Sequence, residues 1–135
     1  MTTGISNEDC MRELLWGTVE PLTQVKEGYD KSIRTLESKR IEGIPLSKNP
    51  AFQAEVDKTH AIYMQYIETS ITNLKAQIAI GEEIKALFAR RDIDLGGLSA
   101  SLAEIQSRLS PLLAQRQVNA AEIKKLEDKI VELIS

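Results

Sequence analysis

One cysteine, one histidine, one tryptophan and 4% aromatic residues are all that this 135-residue chain offers to several kinds of chemistry. A lone Cys10 cannot close an internal disulfide, which fits a reducing intracellular setting, cytoplasmic or nuclear. Zinc centres need clustered Cys or His. Di-iron bundles need two Glu-x-x-His elements with two further carboxylates, and the nearest approach here is Asp57-x-x-His60. A Ser-His or Cys-His nucleophile would have to share His60, and no nucleophile motif lies beside it. Gly96-Gly97 lacks the Gly-x-x-x-x-Gly-Lys pattern of a phosphate loop and follows no strand. The residues therefore predict a non-enzyme with no catalytic, metal or cofactor site.

Charge of one sign is scarce too. Lys and Arg total 17 against 20 Asp and Glu, for a net charge of −3. Nucleic-acid binders draw much of their affinity from a basic face. Here the pairs Lys39-Arg40, Arg90-Arg91 and Lys124-Lys125 are dispersed, sit beside acids and are not interleaved with aromatics. Glu82, Glu83, Asp92 and Asp94 gather acidic charge that reads as a solvated face. No run approaches the ~18 apolar residues of a membrane span. The start, Met1-Thr2-Thr3-Gly4, shows neither a signal peptide nor a myristoylation glycine at position 2. No membrane contact is expected.

What the chain does have is helical spacing. From Leu102, the positions Leu102, Ile105, Leu109, Leu112, Arg116, Asn119, Ile123, Leu126, Ile130 and Leu133 alternate steps of three and four, and eight of the ten are aliphatic. That is the seam of a coiled coil or bundle. Leu15, Leu22, Tyr29 and Leu36 repeat every seven residues, with Val19 and Ile33 between them. A middle stretch places Phe52, Val56, Tyr63, Ile67, Ile71, Leu74, Ile78, Ile84 and Phe88 on one side.

These patterns predict helices over about 7–41, 49–91 and 101–135. Asn7 reads as the first N-cap, with Glu8 and Asp9 in the turn where the dipole favours acids. Asn49-Pro50 reads as cap and first helical position of the second helix, and Ser101-Leu102-Ala103-Glu104 as a capping box for the third. Breaks over 42–48 and 92–98 separate them. Gly17 and Pro21 in helix one and Pro111 in helix three should kink the rod. Ser110-Pro111 could act as a fresh cap and first position.

With connections this short, the expected fold is all-α: one domain, an elongated, antiparallel, up-down-up three-helix bundle, coiled-coil-like and roughly 50–65 Å long. A hairpin that completes its core by dimerising is the competing architecture. The last helix reaches Ser135 without a glycine cap, which leaves a longer parent chain open.

Two constellations carry functional expectation. Lys26, Ser70, Gln77, Arg116 and Asn119 are polar residues at core-type positions, which often fix register and partner choice. The bland alternative is that Lys26 and Arg116 reach out to water. The second is surplus apolar surface. Over 61–67, Ile62, Tyr63, Met64, Tyr66 and Ile67 cover an arc of about 200°, twice what one bundle face needs. The segment 130–134 is similarly broad. Ile62, Met64, Tyr66, Val131 and Ile134 therefore mark a candidate partner surface at one end. Folding back of the first loop, with Ile41, Ile44, Pro45 and Leu46, is the competing account. The expected function is protein–protein interaction, self-association included, as subunit, adaptor or regulator in a larger assembly. The alternative is a helical subunit of a nucleoprotein complex touching nucleic acid through Arg90, Arg91 and neighbouring lysines.

Overall fold

The computed structural model describes residues 19–135. The expected cap at Asn7, with Glu8, Asp9, Cys10, Leu15, Gly17 and a restart at Thr18, lies outside the described residues. Three helices pack together: α1 (Val19–Arg40), α2 (Gln53–Ala89) and α3 (Leu95–Ile134). A 3-10 turn (Pro50–Phe52) leads into α2, and no strand occurs among the described residues.

α1 ends on Lys39 and Arg40, cations that suit the negative end of a helix dipole. Two bonds, Ile41 N to Glu37 O and Glu42 N to Lys39 O, both at 3.3 Å, close its last turn. Ile44 then precedes Pro45, which disfavours helical backbone. Asn49 fulfils its expected role: its Oδ1 accepts from Ala51 N at 3.0 Å, with Pro50 following. It opens the 3-10 turn, not α2 directly, and it leaves Phe52 exposed instead of on the buried side.

The start of α3 differs from the expectation at Ser101. Asp94 is the N-cap, its Oδ1 accepting from Gly97 N at 2.7 Å, and the helix begins at Leu95. Gly96 and Gly97 thus form its first turn and do not break the chain. The physical reason is crowding. A Cβ at Gly97 would stand 3.0 Å from Ile93 Cγ1 and 3.2 Å from Asp94 Oδ1, so the capped turn closes around a residue without one. Ser101 lies well inside the helix.

Pro111 lies inside α3, which continues on both sides of it. Ser110 does not cap a new segment: its hydroxyl donates back to Gln106 O at 3.1 Å, four residues earlier. Pro21 is the third residue of α1. The preceding turn, where the kink is expected, lies outside the described residues.

α2 packs against both other helices. Its contacts with α3 run in opposite order along the two chains: Glu55 meets Lys129, Tyr63 meets Glu127, Asn73 meets Leu112, and Glu83 meets Arg108. Against α1, Glu68 meets Arg40 and Glu82 meets Lys26. The core divides in two. One cluster joins all three helices through Ile33, Tyr63, Ile67, Ile71, Leu74, Ile123 and Ile130. The other, among the described residues, joins α2 and α3 through Ile80, Leu87, Phe88, Leu98 and Ile105. On α2 the division falls at Gln77, between Leu74 and Ile80.

Candidate functional site

The polar residues foreseen at core positions separate into distinct environments. Gln77 and Asn119 are buried, Asn119 with 1% of its surface exposed. Gln77 Nε2 donates to Asn73 Oδ1 at 2.6 Å, and Asn73 Nδ2 donates across the interface to Leu112 O at 2.9 Å. Asn119 Oδ1 accepts from Gln115 Nε2 at 2.8 Å. Ser70 is buried, and Arg116 sits with its guanidinium 4.7 Å from the centre of the Tyr29 ring, bridging α3 to α1. Lys26 follows the alternative reading and reaches out to water. Nearly half its side chain is exposed, and its ammonium reaches Glu82 at 3.7 Å, because a long aliphatic stem lets the charge stay in water. Lys26 and Gln77 line one cavity of about 90 Å³, while Ser70 and Arg116 line another of about 250 Å³.

Three atoms within this set, Ser70 Oγ, Gln77 Oε1 and Asn119 Nδ2, are buried without a hydrogen-bond partner among the described residues. Asn73 was not foreseen. In sequence it is a single polar residue beside Leu74, and nothing in its spacing reveals a carbonyl opposite.

A second polar cluster, also unforeseen, ties the three helices near one end. Glu127 Oε1 of α3 accepts from Lys39 Nζ of α1 at 2.8 Å and from the Tyr63 hydroxyl of α2 at 3.4 Å. Burial and, next, the nearby Glu127 charge push the Tyr63 phenol up from its ordinary 10.0 to about 12. The folded chain therefore holds this proton more tightly than the unfolded one. The resulting stability is complete below pH 10.0 and is lost as pH rises through about 12. An ultraviolet titration should show a late phenolate step near 12 that Tyr63→Phe abolishes.

Of the proposed partner surface, Ile62 and Val131 are exposed, at 39% and 58%. Met64, Tyr66 and Ile134 are half-buried and packed against the three-helix cluster, and so belong partly to the core. The first loop is fastened at this end of the molecule. Ser47 fastens it to the end of α3, its hydroxyl donating to Leu133 O at 2.7 Å, and Gln53 holds Ser47 N and Pro45 O. Yet Ile41 and Leu46 remain 81% and 83% exposed, with Ile44 and Phe52 also half open. The loop adds apolar area to this end of the molecule.

The acidic residues near the α2–α3 connection disperse among partners. Glu82 pairs with Lys26 and Lys85, Glu83 with Arg108, Asp92 with Arg90, and Asp94 caps α3. Among the described residues, no group of three or more His, Cys, Asp or Glu could hold a metal ion, and no helix is long and apolar enough to cross a membrane. Compared with known proteins, the chain matches no family model, no curated protein and no solved structure.

Proposed function

We propose that this chain is a non-enzymatic protein–protein interaction module, a helical subunit, adaptor or regulator whose partner docks at the end formed by the 41–49 loop, the start of α2 and the end of α3. The observation that carries this reading is the collection of exposed large apolar side chains there: Ile41, Ile44, Leu46, Phe52, Ile62 and Val131. Exposed apolar residues gathered at one place mark interaction surfaces, whereas scattered ones need no explanation. Aromatic and large aliphatic anchors dominate such interfaces, which favours Phe52 and Ile62 as centres.

The scaffold in this reading is a single elongated, antiparallel, up-down-up bundle with coiled-coil-like seams. Support comes from the opposite order of contacts along α2 and each neighbour, exemplified by Glu55 with Lys129 and Glu83 with Arg108. A bend at Pro111 follows from its missing N–H, which leaves the Ser107 carbonyl without its helical donor. Gln77, Asn119, Ser70 and Arg116, with Asn73 added, serve as the layer that fixes register and partner choice. The nucleoprotein alternative loses ground because Arg90 is engaged by Asp92 in two hydrogen bonds, at 3.1 and 2.9 Å. Light scattering and affinity purification of the tagged chain test the proposal. It expects either a defined oligomer or one stoichiometric protein partner. A strictly monomeric chain that recovers only nuclease-sensitive, salt-sensitive material contradicts it.

A further inference from the structure

We infer that α1 is a strap that swings away from the α2–α3 hairpin on a pivot at residues 42–44 while the hairpin stays folded. The pivot is set by where bonding stops and resumes. The last backbone bond closing α1 runs from Glu42 N to Lys39 O at 3.3 Å. From Pro45 onward the connection is fastened to the hairpin. Gln53 Nε2 donates to Pro45 O at 3.1 Å, Gln53 Oε1 accepts from Ser47 N at 2.8 Å, and Ser47 Oγ donates to Leu133 O at 2.7 Å. Gly43 and Ile44 lie between. Ile44 is 52% exposed, and a Cβ at Gly43 would meet nothing within 4 Å. A change of backbone angles there moves α1 and leaves those anchors in place.

The strap is lightly held. Over residues 22–40, Ile33 is its one buried side chain, with Tyr29 and Leu36 partly buried beside it. Its ion pairs to the hairpin, Lys26–Glu82, Lys39–Glu127 and Arg40–Glu68, join side chains that are each between 32% and 52% exposed. Pairs so open to water are screened and contribute little. Once undocked, a helix of 22 residues with Gly28 in its interior is marginal in water, so it melts and frees its amides to exchange. The hairpin keeps contacts of its own. Among the described residues these are the cluster around Leu98 and Ile105, the Asn73–Leu112 bond and both Glu83–Arg108 bonds, none of which involves α1. Opening uncovers Ile67, Ile71 and Ile123 of the shared cluster, so the strap governs access to that apolar face.

Opening is read on the chain by itself, so its absence leaves the interaction proposal standing. The test is native-state amide hydrogen exchange of the whole chain, followed residue by residue by NMR at rising, subdenaturing urea. After correction for intrinsic rates, the α1 amides over 30–38 should exchange about tenfold or more faster than the slowest amides of α2 and α3. Their exchange should also show its own, shallower dependence on urea, the mark of a partial opening. Ile105→Val, a mild loss within the hairpin, should quicken the slowest α2 and α3 amides by about two- to tenfold and leave the α1 amides unchanged, because Ile105 is still packed when the strap is open. Leu98→Ala repeats the comparison with a larger loss. The proposal is overturned by α1 amides that exchange no faster than the slowest hairpin amides. Exchange in α1 that is indifferent to urea also overturns it, since that marks fraying. So does an α1 quickened by either variant as much as the hairpin, which marks a single cooperative unit.

Discussion

Replacing Ile67 by alanine should lower the unfolding free energy by about 2–5 kcal/mol, among the largest single losses available in this chain. Ile67 is fully buried, at 0% exposure, in the cluster that joins all three helices. The cost has two parts: the lost transfer of the removed methyl groups, and the cavity that neighbours cannot fill. Ile71, Leu74, Ile123 and Ile130 in the same cluster project from long helices whose backbones are fixed by other contacts, so collapse around the void is limited. Because domains of this size are stable by only about 5–15 kcal/mol, the variant should approach the threshold of folding at physiological temperature. Chemical denaturation with an unchanged slope and a shifted midpoint measures it. The same change at exposed Val131 should have little effect on stability.

Asn73→Ala should cost about 2–4 kcal/mol, more than its modest size suggests. Asn73 satisfies two groups at once, donating to Leu112 O and accepting from Gln77 Nε2. Gln77 Oε1 already has no partner among the described residues. Truncating Asn73 would leave the whole Gln77 amide buried and unpaired, and each orphaned buried group carries about 1–3 kcal/mol. Replacing both residues by leucine should recover much of that loss, since removing both partners is far less costly than removing one. The four denaturation curves of the parent chain, Asn73→Leu, Gln77→Leu and the double leucine variant give a coupling energy. A coupling near zero would show that the Asn73–Gln77 bond does not act as described.

The helical architecture was legible because alternating steps of three and four, as from Leu102 to Leu133, admit one backbone period. Asn49-Pro50 was legible because cap chemistry is local. Asp94 was not, since Gly96-Gly97 is equally good at ending a helix and at filling a tightly capped first turn. Met64 and Tyr66 fall outside the arc that a single bundle face buries. α2, however, lies against both α1 and α3, and its buried arc is correspondingly wide. The same breadth explains why Thr59 and His60 are buried although neither belongs to the aliphatic stripe. Asn73 and the Lys39–Glu127–Tyr63 cluster depend on which residues meet across helices, information that no spacing along one helix contains. The exposure of Ile41 and Leu46 was equally out of reach.

The surface at the loop end is tested most directly by charging its exposed members while sparing those that pack inward. In Ile62→Lys with Val131→Lys, both changed side chains sit on the outside, so the thermal melt should match that of the parent chain. Association, with itself or with the partner recovered by affinity purification, should weaken by about 2 kcal/mol or more if either residue is an interface anchor. An intact melt with lost association is the result this account predicts, and an intact melt with undiminished association would contradict it.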